Sequence, residues 1–354
     1  MTYQMVRINT ASPAPPAARV LIIYTGGTSG MVPDASGALK PFDFSLILEQ
    51  LPALRNLLLE LTVISFPAPI DSSNMGPDQW RDLARIIAEH HDTQDGFVVL
   101  HGTDTMAYTA SALSFMLDGL AKPVIFTGAQ LPITHPRSDA RENLITALEI
   151  ASSRESGLPV VPEVAIYFGD TLLRGCRAKK VESQHFDAFE SENYPPLARA
   201  GVKIDFDKKV IRKPSANAGL RIRDRFCRDV AILKIFPGIQ ESAVTSLLAI
   251  PGLRGLVMET FGSGNAPSVV WFTDAVKKAV AGGLVVVNVS QCPGGMVQQG
   301  RYETSRELKS AGVLGGADMT TEAAITKLML ALGEFEQEEA KTWLLSPVSG
   351  ELTV

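Results

Sequence analysis

Cysteine is scarce. The chain of 354 residues has 3, namely Cys176, Cys227 and Cys292, an odd number with no C-x-x-C spacing. That excludes a disulfide framework and a zinc ribbon and suits a reducing compartment, so a cytoplasmic location with inert thiols is expected. Histidine numbers 5, and none falls in an H-E-x-x-H-like spacing, so no metal site is expected and no organic cofactor is implied. No apolar run approaches a bilayer span; stretches such as Leu284 to Val289 are strand-sized, and a membrane partner is not expected. Met1 to Ala18 carry the Pro/Ala-rich ASPAPPAA in place of a basic segment followed by an apolar one, so no secretory signal is expected. Basic excess is missing too. The net charge is −5 and the isoelectric point is near 5.6, which argues against nucleic acid as a partner. The serine elbow G-x-S-x-G is absent.

The length is more than one core comfortably holds, so two domains are expected. In the amino half, strand-like runs near residues 18–24, 61–66, 96–101, 123–127 and 164–168 alternate with helical patterns near 44–51, 77–91, 105–118 and 139–153. This alternation predicts an α/β fold, a doubly wound and mostly parallel sheet covered on both faces. A polar, Pro-rich and charged passage from Tyr194 to Arg228 interrupts it, and further strand-like runs follow at 230–236, 255–260 and 284–290. The expected organisation is an amino-terminal α/β catalytic domain over 1–196, a linker over 197–228, and a smaller carboxy-terminal α/β domain over 229–354.

Apolar runs end in Gly/Thr loops twice. Val20 to Ile23 offer no polar alternation, the mark of a strand buried on both faces, and lead into Thr25-Gly26-Gly27-Thr28-Ser29-Gly30. The glycines permit a sharp turn and a close approach of backbone to a ligand, which would present Thr28 at the carboxyl end of the strand. The second loop is polar at every step, with His101, Thr103, Asp104 and Thr105 ahead of an apolar helix. Capping explains part of this cluster equally well, since Asp104 and Thr105 are good N-cap residues. Hydrolysis of a carboxamide needs a nucleophile, a proton acceptor and a donor to the leaving group. Without a serine-elbow triad, a lysine held by a carboxylate can take the place of histidine.

TGGTSGM, HGTDTMAYTASAL, TGAQLPI, RSDARENLITAL, RGCRAKKVESQHFDAF, GSGNAP and GVLGGADMTTEAAITKL stand in this order along the chain. With them the sequence resembles the bacterial-type L-asparaginases, the cytoplasmic type I branch in particular. The resemblance implies hydrolysis of L-asparagine through a threonine nucleophile and a β-aspartyl ester, with L-glutamine as a minor substrate. It makes Thr28 the first-choice nucleophile. Thr103 would be the second hydroxyl, set by Lys180 and Asp104, and would activate water or attack itself; both orders stay open. Asp104 would also bind the substrate ammonium and Ser72 its α-carboxylate, with Asp71 and Asn265 completing the shell. For Ser72 a plain helix cap is the competing reading. Asn265 would reach a neighbouring subunit's site, so a homodimer or homotetramer is implied. Val32 to Pro41 resembles the family's lid, but Leu39 stands where many members carry a tyrosine, and Tyr24 is expected to point elsewhere. Cys292 fits the regulatory asparagine site of some type I enzymes, whereas Glu259 and Lys179 stand where arginine and threonine belong. Two other functions compete. One is the amide-hydrolysing subunit of a tRNA-dependent amidotransferase, for which Met1 to Ala18 is too short to supply the extra domain. The other is a nucleotide-binding module, which lacks G-x-G-x-x-G and a Walker lysine.

Overall fold

The computed structural model describes residues 3–27, 31–33, 39–41, 46–213, 219–301 and 303–353, arranged as two compact units. The first comprises Met1–Ser191 with Pro195–Ile222, and the second Glu192–Tyr194 with Arg223–Val354.

In the first unit, Ala18–Tyr24 is an interior strand whose Val20 to Ile23 are fully buried. Branched side chains on both faces require cover on both faces, which only a central position supplies. It pairs in parallel with Leu59–Ser65 on one side and Gly96–Leu100 on the other, and the sheet continues in parallel through Val124–Thr127 and Val164–Phe168. Numbered by chain order, these strands stand 2-1-3-4-5. The order therefore reverses between Ala18–Tyr24 and Gly96–Leu100. Crossovers leave in opposite directions there and open a crevice at the strands' carboxyl ends.

Antiparallel strands complete a nine-stranded sheet, Gln4–Asn9 at one edge and Thr171–Arg174, Ala198–Ala200 and Ile204–Phe206 at the other. Helix Pro77–His90 buries Trp80, Leu83, Ala84, Ile86 and Ile87, a single stripe at helical spacing. It packs on helix Met106–Met116, which is buried nearly all round, while helix Ala140–Ser152 covers Gly96–Leu100 and Val124–Thr127.

Two expectations differ from the structure. The helix expected over 44–51 is one turn, Ile47–Gln50, followed by a 3-10 stretch from Pro52. Pro52 lacks the N–H that would continue the helix and forces Leu51 out of helical conformation. The passage expected as a linker, 197–228, instead carries two strands of the large sheet, and its Arg221–Ile222 pairs with Leu117–Asp118. These edge strands have three residues each, ARA and IDF, too few to establish a period of two, and they form by pairing, the first with Thr171–Arg174 and the second with the first.

The second unit holds a four-stranded parallel sheet, ordered Val230–Lys234, Gly255–Thr260, Val285–Ser290 and Leu314–Gly315. Its core joins Leu256, Met258 and Val286 to Phe272 and Val276 of helix Val270–Ala281. Helix Thr321–Glu334 buries Lys327 completely; its Nζ meets Glu351 at 2.5 Å and donates to the Leu344 carbonyl at 2.8 Å. Cys176 and Cys227 are buried, Cys292 is exposed, and none is bridged. No described helix is long and apolar enough to cross a membrane.

Candidate active site

Tyr24 and Leu100 form the last rung between the two strands at the switch point, so their chains leave the sheet side by side. The Thr25 N–H and hydroxyl both donate to the Leu100 carbonyl at 3.1 Å, and the Ile70 N–H donates to the Thr25 carbonyl at 2.8 Å. The loop after Leu59–Ser65 is thereby drawn in. Contact is backbone to backbone. Gly27 has φ +88°, and a Cβ there would lie 2.6 Å from Gly102 N; a Cβ on Gly102 would lie 2.5 Å from Ser72 Oγ. No larger residue fits at either position without moving a neighbouring loop.

Capping does not account for Thr105 or Ser72. Thr105 occupies the N-cap position of Met106–Met116 but makes no capping bond; its hydroxyl donates to the Ser72 carbonyl at 2.6 Å. Helix Pro77–His90 has Gly76 as its N-cap residue, so the cap reading of Ser72 fails as well. Ser72 opens a short 3-10 turn and is buried, while Asp71 caps that turn by accepting the Ser73 N–H at 2.9 Å. Hydrogen bonds from the Ser73 backbone and side chain hold the exposed Asp71 carboxyl below the usual carboxylate range.

Lys180 arrives on a segment packed against helix Met106–Met116. The turn Gly175–Arg177 is buried against that helix, and the preceding Arg174 pairs with Glu163 at 2.6 Å in the interior. Lys179–Lys180 then pairs antiparallel with Phe189–Glu190. From there Lys180 Nζ donates to Thr103 Oγ1 at 2.8 Å and to Asp104 Oδ1 at 2.7 Å. The Lys180 side chain is 18% exposed and that of Asp104 64%. Hydroxyl, amine and carboxylate thus stand in contact, the carboxylate open to a ligand. Such a set can take a proton from a hydroxyl and return it to a leaving group.

The other expected site residues are placed as follows. Thr28 lies outside the described residues, as do residues 34–38 of the lid; the backbone on either side, Met31–Pro33 and Leu39–Pro41, forms an antiparallel pair. Tyr24 is buried in the sheet. Asn265 belongs to the second unit, where it exchanges backbone hydrogen bonds with Phe261 at 2.9 Å. Glu259, in the same unit, accepts the Thr321 hydroxyl at 2.5 Å and lies 3.6 Å from Lys234.

Sequence reasoning missed supporting residues. Asp139 accepts the Gln130 and Leu131 N–H groups at 3.0 and 3.1 Å, and Asn143 donates to the Gly128 carbonyl at 3.0 Å, which fixes the loop after Val124–Thr127. Their spacing of four residues in RSDARENL was the available signal. Trp80 and Thr109 were also overlooked; both bond toward His101.

A doubly wound sheet carrying a hydroxyl, an amine and a carboxylate at its switch point defines an α/β protein equipped for nucleophilic hydroxyl chemistry. Comparison identifies the family. The model for the asparaginase N-terminal domain matches residues 19–212 and that for the glutaminase/asparaginase C-terminal domain matches 229–344, so the chain belongs to the asparaginase family. It is 40% identical over 343 residues to L-asparaginase 1 of Escherichia coli K12, across 94% of this chain and 98% of that one. It is also 40% identical to L-asparaginase of Dirofilaria immitis, across 95% of this chain but only 61% of that longer protein. A subunit of the glutamyl-tRNA(Gln) amidotransferase of Pyrococcus abyssi is 36% identical, across 94% of this chain and 76% of that one. The crystal structure of L-asparaginase I from Vibrio cholerae superposes with a TM-score of 0.84 at 36% identity, covering 95% of this chain and 99% of that one.

Proposed function

We propose that the chain hydrolyses the side-chain amide of L-asparagine, giving L-aspartate and ammonia. One observation carries the reading: Lys180 Nζ stands within hydrogen-bond reach of both Thr103 Oγ1 and Asp104 Oδ1, at the carboxyl end of a strand beside the switch point. Sequence identity of 40% to L-asparaginase 1 of Escherichia coli K12, across 94% of this chain, supports it.

The reaction is an acyl transfer in two stages. A threonine oxygen adds to the amide carbon, its proton passes to the nitrogen, and ammonia leaves a β-aspartyl ester. Water then adds to the ester carbon, its proton restores the threonine hydroxyl, and L-aspartate is released. First attack is assigned to Thr28 and water activation to Thr103; trapping the ester and locating it by mass spectrometry decides between that order and first attack by Thr103. A neutral Lys180 amine has one lone pair, so it can accept the Thr103 proton while an N–H still donates to Asp104. The exposed Asp104 carboxylate is available to the substrate ammonium. Ser72 receives the α-carboxylate, with Asp71 and Asn265 completing the shell. Asn265 acts in a neighbouring copy's site, so the working form is a homodimer or homotetramer; a fully active monomer in light scattering would contradict this. Neither metal nor organic cofactor takes part, and the enzyme works in the cytoplasm.

Steady-state ammonia release from L-asparagine, D-asparagine and L-glutamine, with and without excess EDTA, tests the proposal. Turnover of L-asparagine in preference to L-glutamine, unchanged by EDTA, is expected. Absence of L-asparagine turnover would overturn it. Preference for L-glutamine would favour the second reading, an ammonia-supplying amidotransferase component, which the Pyrococcus relative supports.

A further inference from the structure

His101 is completely buried at the end of Gly96–Leu100, where its backbone N–H donates to the Thr127 carbonyl at 3.0 Å and its ring meets Phe126 edge-on. The proposed chemistry gives it no role. Its hydrogen bonds form a chain whose direction is dictated by chemistry. The Trp80 indole N–H can only donate, and Thr109 Oγ1 accepts it at 3.1 Å. Thr109 Oγ1 lies 3.0 Å from His101 Nε2, and His101 Nδ1 lies 2.6 Å from the Gly102 carbonyl. That carbonyl can only accept, so the imidazole proton sits on Nδ1. Nε2 is then an acceptor in the neutral ring, and the Thr109 hydroxyl must donate to it. Burial pushes the imidazole down to about 4, which keeps the ring neutral. With its other nitrogen filled by a threonine in the interior, the ring is not placed to serve as a general base.

The chain ends at Gly102, where the loops meet. Gly27 abuts its nitrogen, Ser72 abuts its α-carbon, and a Cβ on Gly128 would lie 2.4 Å from the His101 carbonyl oxygen. The Gly102 carbonyl and the Thr103 N–H belong to one planar peptide, so holding the oxygen fixes the plane from which Thr103 departs. We propose that Trp80, Thr109 and His101 form a positioning relay whose terminal N–H clamps the Gly102–Thr103 peptide, setting Thr103 and Asp104 against Lys180. His101 is thus a positioning residue that acts through Thr103. The effect on rate rests on the proposed amide hydrolysis, whereas the hydrogen-bond chain does not.

The test has two arms. In the wild-type protein at neutral pH, nitrogen-15 NMR of the His101 ring should show the Nδ1-protonated tautomer with a slowly exchanging ring proton. An Nε2-protonated or imidazolium ring would overturn the relay whatever the activity. In the second arm, His101→Leu, His101→Gln, His101→Asn and Thr109→Val are compared for kcat, KM and thermal unfolding, per folded protein. His101→Leu and His101→Gln should lower kcat about a hundredfold, the order of effect of slight misplacement of a reacting group, with a smaller rise in KM because Asp104 shifts with Thr103. Asparagine places its amide N–H where Nδ1 stood, so His101→Asn should recover most of that loss. Thr109→Val keeps the shape, frees Nε2 and should fall between. Stability losses of similar size in His101→Asn and His101→Gln, with kcat differing between them, would support the clamp. Equal kcat in those two variants, or wild-type kcat in folded His101→Leu, would reduce His101 to a packing residue and refute the proposal. If wild-type protein releases no ammonia from L-asparagine, the functional reading fails, and the NMR arm still decides the relay.

Discussion

Lys180→Met separates catalysis from stability. Methionine keeps the aliphatic stem, so the strand pairing with Phe189–Glu190 and the packing beneath it should persist. What disappears is the Nζ that holds Thr103 Oγ1 at 2.8 Å and Asp104 Oδ1 at 2.7 Å. Asp104 is 64% exposed, so its carboxylate rehydrates when the partner goes. The stability lost should be that of a surface pair, about 1 kcal/mol at most. That corresponds to a fall in Tm of about 4 °C or less in a chain of this size. A general base, by contrast, is worth about a hundredfold to ten-thousandfold in rate. A thousandfold loss would be about 4 kcal/mol of transition-state stabilisation. Ammonia release measured beside thermal unfolding should therefore show kcat collapsing while Tm barely moves. Lys180→Arg should be nearly as damaging, because a guanidinium keeps the charge but cannot give up its proton. Lys179→Met should be mild, since the amine in contact with Thr103 belongs to the other residue. Retention of kcat within about tenfold in Lys180→Arg, well below the effect of losing a base, would refute proton transfer by this amine. A loss in Lys179→Met equal to that in Lys180→Met would refute the register.

Thr28→Ala and Thr103→Ala should each lower kcat about a thousandfold, with the double variant far less than additive, because groups acting in one transition state fail together; near-wild-type kcat in either would remove that residue from the mechanism. Saturation by L-asparagine should be hyperbolic if Glu259 stands, as the resemblance implies, where an arginine would hold a second substrate's carboxylate, because a carboxylate there repels it; a Hill coefficient clearly above one that returns to one in Cys292→Ala would count against this. Lys327→Met should cost about 3–5 kcal/mol in urea unfolding, because it strands a completely buried Glu351; adding Glu351→Gln should restore part of it, and an undiminished loss would contradict the ion-pair account. His101 gives the stability a pH dependence of known sign. Its imidazole is held down to about 4 in the fold but titrates near its ordinary value when unfolded, so the unfolded chain binds more protons in between. Stability should be complete above about pH 6.5 and fall by about 3 kcal/mol as pH drops to about 4, and a wild-type slope in His101→Asn would exclude His101 as its source.

The sequence alone determined the central architecture, and the resemblance it carries supplied the expected chemistry. Val20 to Ile23 could only be a strand covered on both faces, and the alternation of such runs with helical stripes dictated a parallel, doubly wound sheet. The two Gly/Thr loops were legible as loops at the carboxyl ends of strands, because each follows a buried run directly, but only the strand order 2-1-3-4-5 puts them at the switch point. The resemblance alone favours Lys180 over Lys179, since no local pattern distinguishes one from the other. Tertiary structure supplied the physical reason, because Lys180 lies 77 residues from Thr103 in the chain and the turn Gly175–Arg177 packed on helix Met106–Met116 brings them into contact. It also decided the edge strands Ala198–Ala200 and Ile204–Phe206, which at three residues each are too short to carry a periodic signal and acquire their conformation by pairing. His101 shows the division within one residue. Its place in HGTDT suggested chemistry, whereas burial and bonds to Thr109 and Gly102 make it part of the frame, and both depend on a helix and a strand end brought together by the fold.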